Sequence, residues 1–185
     1  MGLALDLLVT AVSLAIFGQH IWALRGHFVS KTINRGAMGI AIMANLCALW
    51  FLVLTWVVEQ PAAAQLLGLG LELVSLALFW WAVKASRAAS LRYVFDEGAP
   101  GTLVSSGPYA LVRHPFYTSY ILYWAGWAIA AWSWLGLVPL IIVVIAYTVA
   151  ARFEENLFAR TGMAADYVAY RQRTGLFWPK LIGRG

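Results

Sequence analysis

Five apolar runs, each close to the length at which an α-helix crosses a bilayer, recur along this 185-residue chain and limit its fold more than any other feature. A helix rising 1.5 Å per residue needs about 20 residues to cross the hydrocarbon. Residues 3–24, 36–58, 66–83, 117–132 and 134–151 meet or approach that length. Charged residues make up 11% of the chain, against about 25% in soluble domains. The expected fold is therefore all-α: a polytopic membrane helical bundle with five transmembrane helices in one domain, 1–185. The fourth run is short and only Ser133 parts Trp132 from Trp134. That spacing predicts a tight hairpin with its tip in the aromatic belt, in preference to one long broken helix.

Basic residues orient the bundle. The 13 Lys and Arg fall between runs one and two, between runs three and four, and after run five. The segment 59–65, Ser133 and the N-terminal stretch with Asp6 hold none. Because positively charged loops stay in the cytoplasm, the N-terminus is expected outside and the C-terminus cytoplasmic. The pI near 9.6 then reflects a basic face beside anionic lipid, and nucleic-acid binding has no place in the reading. Met1-Gly2-Leu3 offers no basic n-region and the first run is too long for a cleaved signal, so it is expected to stay. Cys47 stands alone, which excludes a disulfide framework and a metal cluster by spacing; it reads as a small buried hydrophobe.

The first three runs carry little chemistry. His20 reads as interfacial or bonded to a neighbouring helix. Asn34-Arg35-Gly36 reads as a helix start, and Asn45 as an interhelical donor worth about 0.6 kcal/mol. Gly68-Leu69-Gly70 permits close helix approach. Glu72 lies within a span, where an ionisable group faces protein or water; about two turns from the outer end, it suits a packed or snorkelling role better than a catalytic one.

From Ala85 to Gly107 the chain turns irregular, with Gly, Pro and Ser punctuation. A loop of that length is functional or disordered, and Leu103-Val104, dipping toward the bilayer, favours a structured lid. His114-Pro115 opens the fourth helix, Pro sitting where its missing N–H is no loss. The first-turn N–H groups make an anion site, with Arg113 a permanent cation beside it. The fifth run continues through Glu154-Glu155 and stays helical to Thr161-Gly162. A bland account of the Glu pair is a solvated face with i,i+4 partners. An amphipathic piece, 164–173, places Tyr167 and Tyr170 on one face, and Phe177-Trp178-Pro179-Lys180 suits the interface.

One cytoplasmic surface thus gathers an anion site with Arg113, the carboxylates Glu154 and Glu155, and Tyr109, Tyr117 and Tyr120. S-adenosylmethionine, which joins a carboxylate, an ammonium, a sulfonium and a flat base, would use all of them. The pattern Gly107-Pro108-Tyr109, Arg113-His114-Pro115-x-Tyr117, Glu154-Glu155, Tyr167-x-x-Tyr170 and Arg173 resembles the isoprenylcysteine carboxyl methyltransferase and phospholipid methyltransferase superfamily of integral membrane enzymes. The resemblance covers residues 102–179, and it implies a cofactor-binding catalytic core there beside a three-helix membrane part, 1–88. Carried over residue by residue, it implies cofactor contacts at Val104, Gly107, Tyr109, Arg113, His114, Tyr117, Glu154 and Glu155. It places Arg113, Glu154 and Arg173 in catalysis, Arg173 near the acceptor. Ser119 stands where the family often has Gly.

The implied reaction is in-line transfer of a methyl from a sulfonium, which needs its reactants aligned, with tyrosine faces stabilising the cation. A carboxylate acceptor needs no base and an arginine could orient it. An amine acceptor needs a base, for which Glu154 or Glu155 serves. The acceptor is expected to be a lipid or lipophilic small molecule entering sideways from the bilayer. The cofactor enters from the cytoplasm, and chain size and the lack of eukaryotic targeting signals fit a bacterial inner membrane. Two rivals remain. A sterol-reductase-like NADPH enzyme shares Arg-His-Pro but wants more spans and more loop. A non-catalytic scaffold or transporter is disfavoured because no central span carries a pair of ionisable residues.

Overall fold

In the computed structural model, which describes residues 2–27, 34–87 and 102–180, six α-helices account for most of the described chain. They are α1 Gly2–His27, α2 Arg35–Val57, α3 Ala62–Ser86, α4 Pro115–Ala131, α5 Leu137–Phe158 and α6 Ala164–Arg173. Short 3-10 turns at Gly107–Ala110 and Trp134–Gly136 lead into α4 and α5. The lid reading over residues 88–101 lies outside the described residues.

Among the described residues four helices, α1, α2, α3 and the one ending at Phe158, are long and apolar enough to cross a membrane. The helix expected as the fourth of five spans, α4, has only 17 residues, about 25 Å at 1.5 Å per residue. Its surroundings explain the shortness. α4 touches α1, α2, α3 and α5, and twelve of its 17 residues are buried, Phe116, Tyr123, Trp124 and Trp127 among them. A helix sheathed by protein need not match the hydrocarbon thickness. The outer helices turn large apolar residues outward, such as Leu46 and Leu49 on α2 and Ile141 and Ile145 on α5, as an integral membrane protein requires.

The core is aromatic, with Trp124 and Trp127 stacked on Phe51 at 5.9 and 5.6 Å between ring centroids. Each polar tip within it finds a partner, as buried Trp and Tyr require. Trp127 Nε1 donates to Thr55 Oγ1 at 3.1 Å, Trp124 Nε1 to the Tyr147 hydroxyl at 3.2 Å, and Tyr123 to the Ser13 carbonyl at 3.1 Å. Close approach of α3 and α4 rests on glycine. A Cβ at Gly126 would stand 2.8 Å from both the Gly68 carbonyl oxygen and Glu72 Cγ, whereas Gly70 faces open space.

Asn34 caps α2 as expected, accepting from the Ala37 N–H at 2.8 Å. Trp132, at φ 44°, closes α4, Ser133 accepts from the Leu135 N–H, and exposed Trp132 and Trp134 mark the hairpin tip. Cys47 is buried. Asn45 departs from expectation: it donates to its own helix at the Ala41 carbonyl, 2.8 Å away, and is exposed. A side chain that can satisfy itself four residues back has no need of another helix. His20 is not interfacial but buried among aromatic rings.

α5 ends at Phe158, short of Thr161-Gly162, because the Thr161 hydroxyl donates to the Phe158 carbonyl at 2.8 Å and accepts from the Met163 N–H. α6 follows with both Tyr167 and Tyr170 buried, Phe158 stacking on Tyr167 at 4.7 Å. The last described segment does more than lie on the interface. Val112 and Gly175 pair as an isolated parallel bridge, and the N–H groups of Arg113 and His114 donate to the carbonyls of Gly175 and Leu176 at 2.8 and 3.3 Å. Lys180 then closes the C-terminal end of α6 on the carbonyls of Arg171 and Gln172, both at 2.9 Å.

Candidate active site

The start of α4, the last turns of α5 and the returning C-terminal segment meet at one end of the bundle. Pro115 fixes where α4 begins, which sets His114 as its N-terminal flank and puts Arg113 one residue before it. Arg113 is buried and faces Glu155 on α5, its Nε 2.6 Å from Oε1. Its other donors reach the Thr174 carbonyl and the Arg171 carbonyl, the latter at 3.4 Å. Arg152, one turn earlier on α5, adds a second cation 3.0 Å from Glu155 Oε2. Glu155 is thus buried with both oxygens matched.

The adjacent carboxylate is held differently. Glu154 keeps a third of its side chain exposed, and its Oε1 accepts from the Tyr117 hydroxyl at 2.5 Å. His114 lies between the two, Nδ1 3.4 Å from Glu154 and Nε2 3.8 Å from Glu155. Burial pushes the His114 imidazole down, but the two carboxylates outweigh it and hold its pKa above the ordinary value. Its Nε2 is buried and has no hydrogen-bond partner. The bland reading of the Glu pair as a solvated face therefore fails at Glu155, which is 4% exposed.

Tyr117 carries an aromatic wall onward, its ring stacked on His114 at 5.7 Å and on Tyr147 at 5.5 Å. Tyr120 meets Tyr117 edge-on at 6.3 Å. Gly107 adopts φ +59°, and a Cβ there would stand 2.9 Å from Ala85 Cβ and 3.2 Å from Trp81 Nε1, so only glycine fits the turn. Tyr109 and Val104 belong to a neighbouring apolar cluster with Phe79, Ala82, Val83 and Phe116. The Tyr109 carbonyl accepts from the Tyr170 hydroxyl at 2.7 Å, tying α6 to the loop. Burial pushes the Tyr109 phenol up, and burial with Glu155 close by does the same to Tyr167, leaving both rings as neutral donors.

The structure thus brings together Arg113, His114, Tyr117, Glu154 and Glu155, sets Tyr109 and Val104 beside them, and leaves Arg173 exposed in the last turn of α6. Ser119 is fully buried against α3 instead, its carbonyl accepting from Ser75 at 2.7 Å, so its small size serves helix packing. Two residues escaped the sequence reading. Tyr147 lies two turns before Glu154 on the same face, a periodicity that could have found it. Thr174 contributes a carbonyl to Arg113, and no sequence signal announces that.

The fold and site together define a membrane-embedded helical bundle whose one polar end is braced by an Arg–Glu–His cluster. That architecture has a family: the chain belongs to the phospholipid methyltransferase family, whose profile matches residues 63–161, from the start of α3 to just past the Glu pair. No curated protein matches it significantly.

Proposed function

We propose that this protein transfers a methyl group from S-adenosylmethionine to the oxygen or nitrogen of a lipophilic acceptor held in the bilayer. One observation carries the reading: of two adjacent carboxylates, Glu155 is fully matched by Arg113 and Arg152, while Glu154 is left part exposed beside the Tyr117 ring. A carboxylate facing an aromatic ring is a receptor for a cation. The cofactor's charged end fits the site, for the His114 ring, set between both glutamates, and the N-terminal turn of α4 favour a carboxylate nearby. Bound there, it supplies an electrophilic methyl on a sulfonium.

The chain's own residues do the rest. Glu154 and Tyr117 hold the cationic portion, His114 the anionic one, and Gly107 admits the loop to close range, with Val104 and Tyr109 as its apolar floor. Arg113 and Glu155 position this set by locking α4 to α5, so their part in cofactor binding runs through His114. Arg173, exposed on α6, is free to orient an acceptor or a lipid headgroup. α4 serves as the fourth, protein-sheathed span, and the basic connections favour a cytoplasmic position for this end of the bundle, the inner membrane of a bacterium suiting the chain. A water-soluble donor then arrives from one side and a lipid acceptor from the other.

Calorimetric titration of the detergent-solubilised protein with S-adenosylhomocysteine tests the proposal. Micromolar binding by the wild type, weakened at least tenfold in Glu154→Ala, is the expected result. Binding of NADPH with none of S-adenosylhomocysteine would overturn it in favour of a reductase.

A further inference from the structure

The side of α6 turned away from the bundle is uncovered. Tyr167 and Tyr170 are buried, while Ala165, Val168 and Ala169, on the opposite side of the helix, are exposed. The segment returning after α6 adds Trp178, 60% exposed. Leu111, whose carbonyl accepts from the Gly175 N–H at 3.3 Å, brings a further exposed apolar side chain to that segment. Between the end of α5 and Lys180 stand Arg160, Arg171, Arg173 and Lys180, against the single acid Asp166. Among the described residues none of these four cations has an acidic partner.

A lipid surface is within reach. The apolar helix α5 ends at Phe158, and five residues lead from it to Ala164, a reach of about 20 Å at most. Exposed apolar residues flanked by cations are what a helix lying in a headgroup layer presents. Tryptophan favours that layer, and anionic lipid supplies the charge that the four cations lack. The same stretch of chain braces the site. The carbonyls of Arg171 and Thr174 accept from the Arg113 guanidinium. Those of Gly175 and Leu176 accept from the N–H groups of Arg113 and His114, and that of Phe177 accepts from the Thr118 hydroxyl at 3.0 Å. Wherever this segment settles, Arg113 and His114 settle with it.

We propose that α6 and the segment returning from it to Lys180 dock on anionic headgroups of the protein's own membrane, and that this docking holds the brace on Arg113 and His114. The affinity of the site then depends on the charge of the surrounding lipid. The docking stands on the exposed apolar and basic residues alone, whereas its consequence for cofactor affinity rests on the methyltransferase reading.

The test places the full-length protein in nanodiscs of phosphatidylcholine, and of phosphatidylcholine and phosphatidylglycerol in equal parts. S-adenosylhomocysteine is titrated into each, and the unfolding midpoint is read without it. S-adenosylhomocysteine has no net charge, so attraction to an anionic surface does not imitate the effect. Wild type should bind it at least threefold more tightly in the mixed discs and unfold at a higher temperature there. Both differences should vanish in about 1 M salt, where charges are screened beyond about 3 Å. Arg160→Gln combined with Arg171→Gln removes two side-chain charges and leaves the Arg171 carbonyl in place. It should match wild type in phosphatidylcholine and gain less than twofold from phosphatidylglycerol. If that variant fails to fold, the salt dependence of the wild type decides alone. Equal affinity and equal midpoints in the two discs, or differences that survive salt, would overturn the docking surface. A midpoint that responds to lipid charge and salt in a protein that ignores S-adenosylhomocysteine would sink the methyltransferase reading and leave the docking surface standing.

Discussion

Glu72 and Glu155 are both carboxylates buried in a membrane protein, and the regions around them solve the same problem in opposite ways. In the bundle interior Glu72 is wholly buried and accepts one hydrogen bond, from Ser13 Oγ at 2.8 Å. Its other oxygen has no partner, and among the described residues no ion pair reaches it. At the polar end Glu155 is buried to a similar degree but meets Arg113, Arg152 and His114. The interior uses a carboxyl as a hydrogen-bonding fastener between α1 and α3. The polar end uses one as the hub of a charge cluster, beside which its neighbour Glu154 stays part exposed.

Removing Arg113 breaks that contrast most severely. Arg113→Ala leaves Glu155 Oε1 without its buried cation and two backbone carbonyls without their donor, a loss of up to about 3–5 kcal/mol, tempered by Arg152 on the other oxygen. Thermal unfolding in detergent should show a large drop in midpoint, or no folded protein. Pairing it with Glu155→Leu should restore much of the loss, because the stranded charge goes too. If Arg113→Ala unfolds like wild type, the cluster is not what holds α4 to α5.

Steric fit between α3 and α4 ranks next. A Cβ at Gly68 would collide with the Gly126 carbonyl oxygen and come within 2.7 Å of Ala130 Cβ, so Gly68→Ala should destabilise by about 1–3 kcal/mol as an overpacked site. Gly70→Ala, meeting nothing within 4 Å, should be neutral or slightly stabilising, since Ala is the better helix former. Unfolding midpoints of the two variants, side by side, check this.

Glu72→Gln sharpens the comparison from the interior side. Gln keeps an acceptor for Ser13 and has nearly the same shape, so the expected loss is below about 1 kcal/mol, near the net value of one hydrogen bond. Glu155→Gln, measured in the same way, should cost several times more. Equal losses would mean that Glu72 has an ionic role.

What the sequence made legible was local. The Asn34 cap, the hairpin around Ser133, the Gly68 contact and the α6 span of Ala164–Arg173 each follow from neighbours a few residues apart. The motif residues Arg113, His114, Tyr117, Glu154 and Glu155 were also legible, through their spacing. Which glutamate is buried and which stays part exposed was not, because that depends on Arg113, 42 positions from Glu155, and on a C-terminal segment folding back to supply the Thr174 carbonyl. His20 misled for the same reason: its surroundings come from α3 and α4, and no pattern on α1 reports them. Asn45 misled in the other direction, its partner lying four residues away when a distant one was expected.

The smallest effect concerns His114, and it separates the two regions by pH. The groups facing it are Glu154 and Glu155, and they hold its pKa in the folded protein above the ordinary value of about 6.5 despite the opposing effect of burial. A group whose pKa rises on folding stabilises the fold while protonated. Its contribution is complete below pH of about 6.5 and fades as pH climbs through the raised folded value. The unfolding midpoint should therefore decline across that upper window, by less than the loss in Arg113→Ala, because Arg113 and Arg152 still neutralise Glu155 when His114 loses its proton. His114→Gln should flatten the decline while leaving the response to Gly68→Ala unchanged. A midpoint that instead rises with pH through this range would mean that burial wins at His114 and that the imidazole sits neutral between the two glutamates.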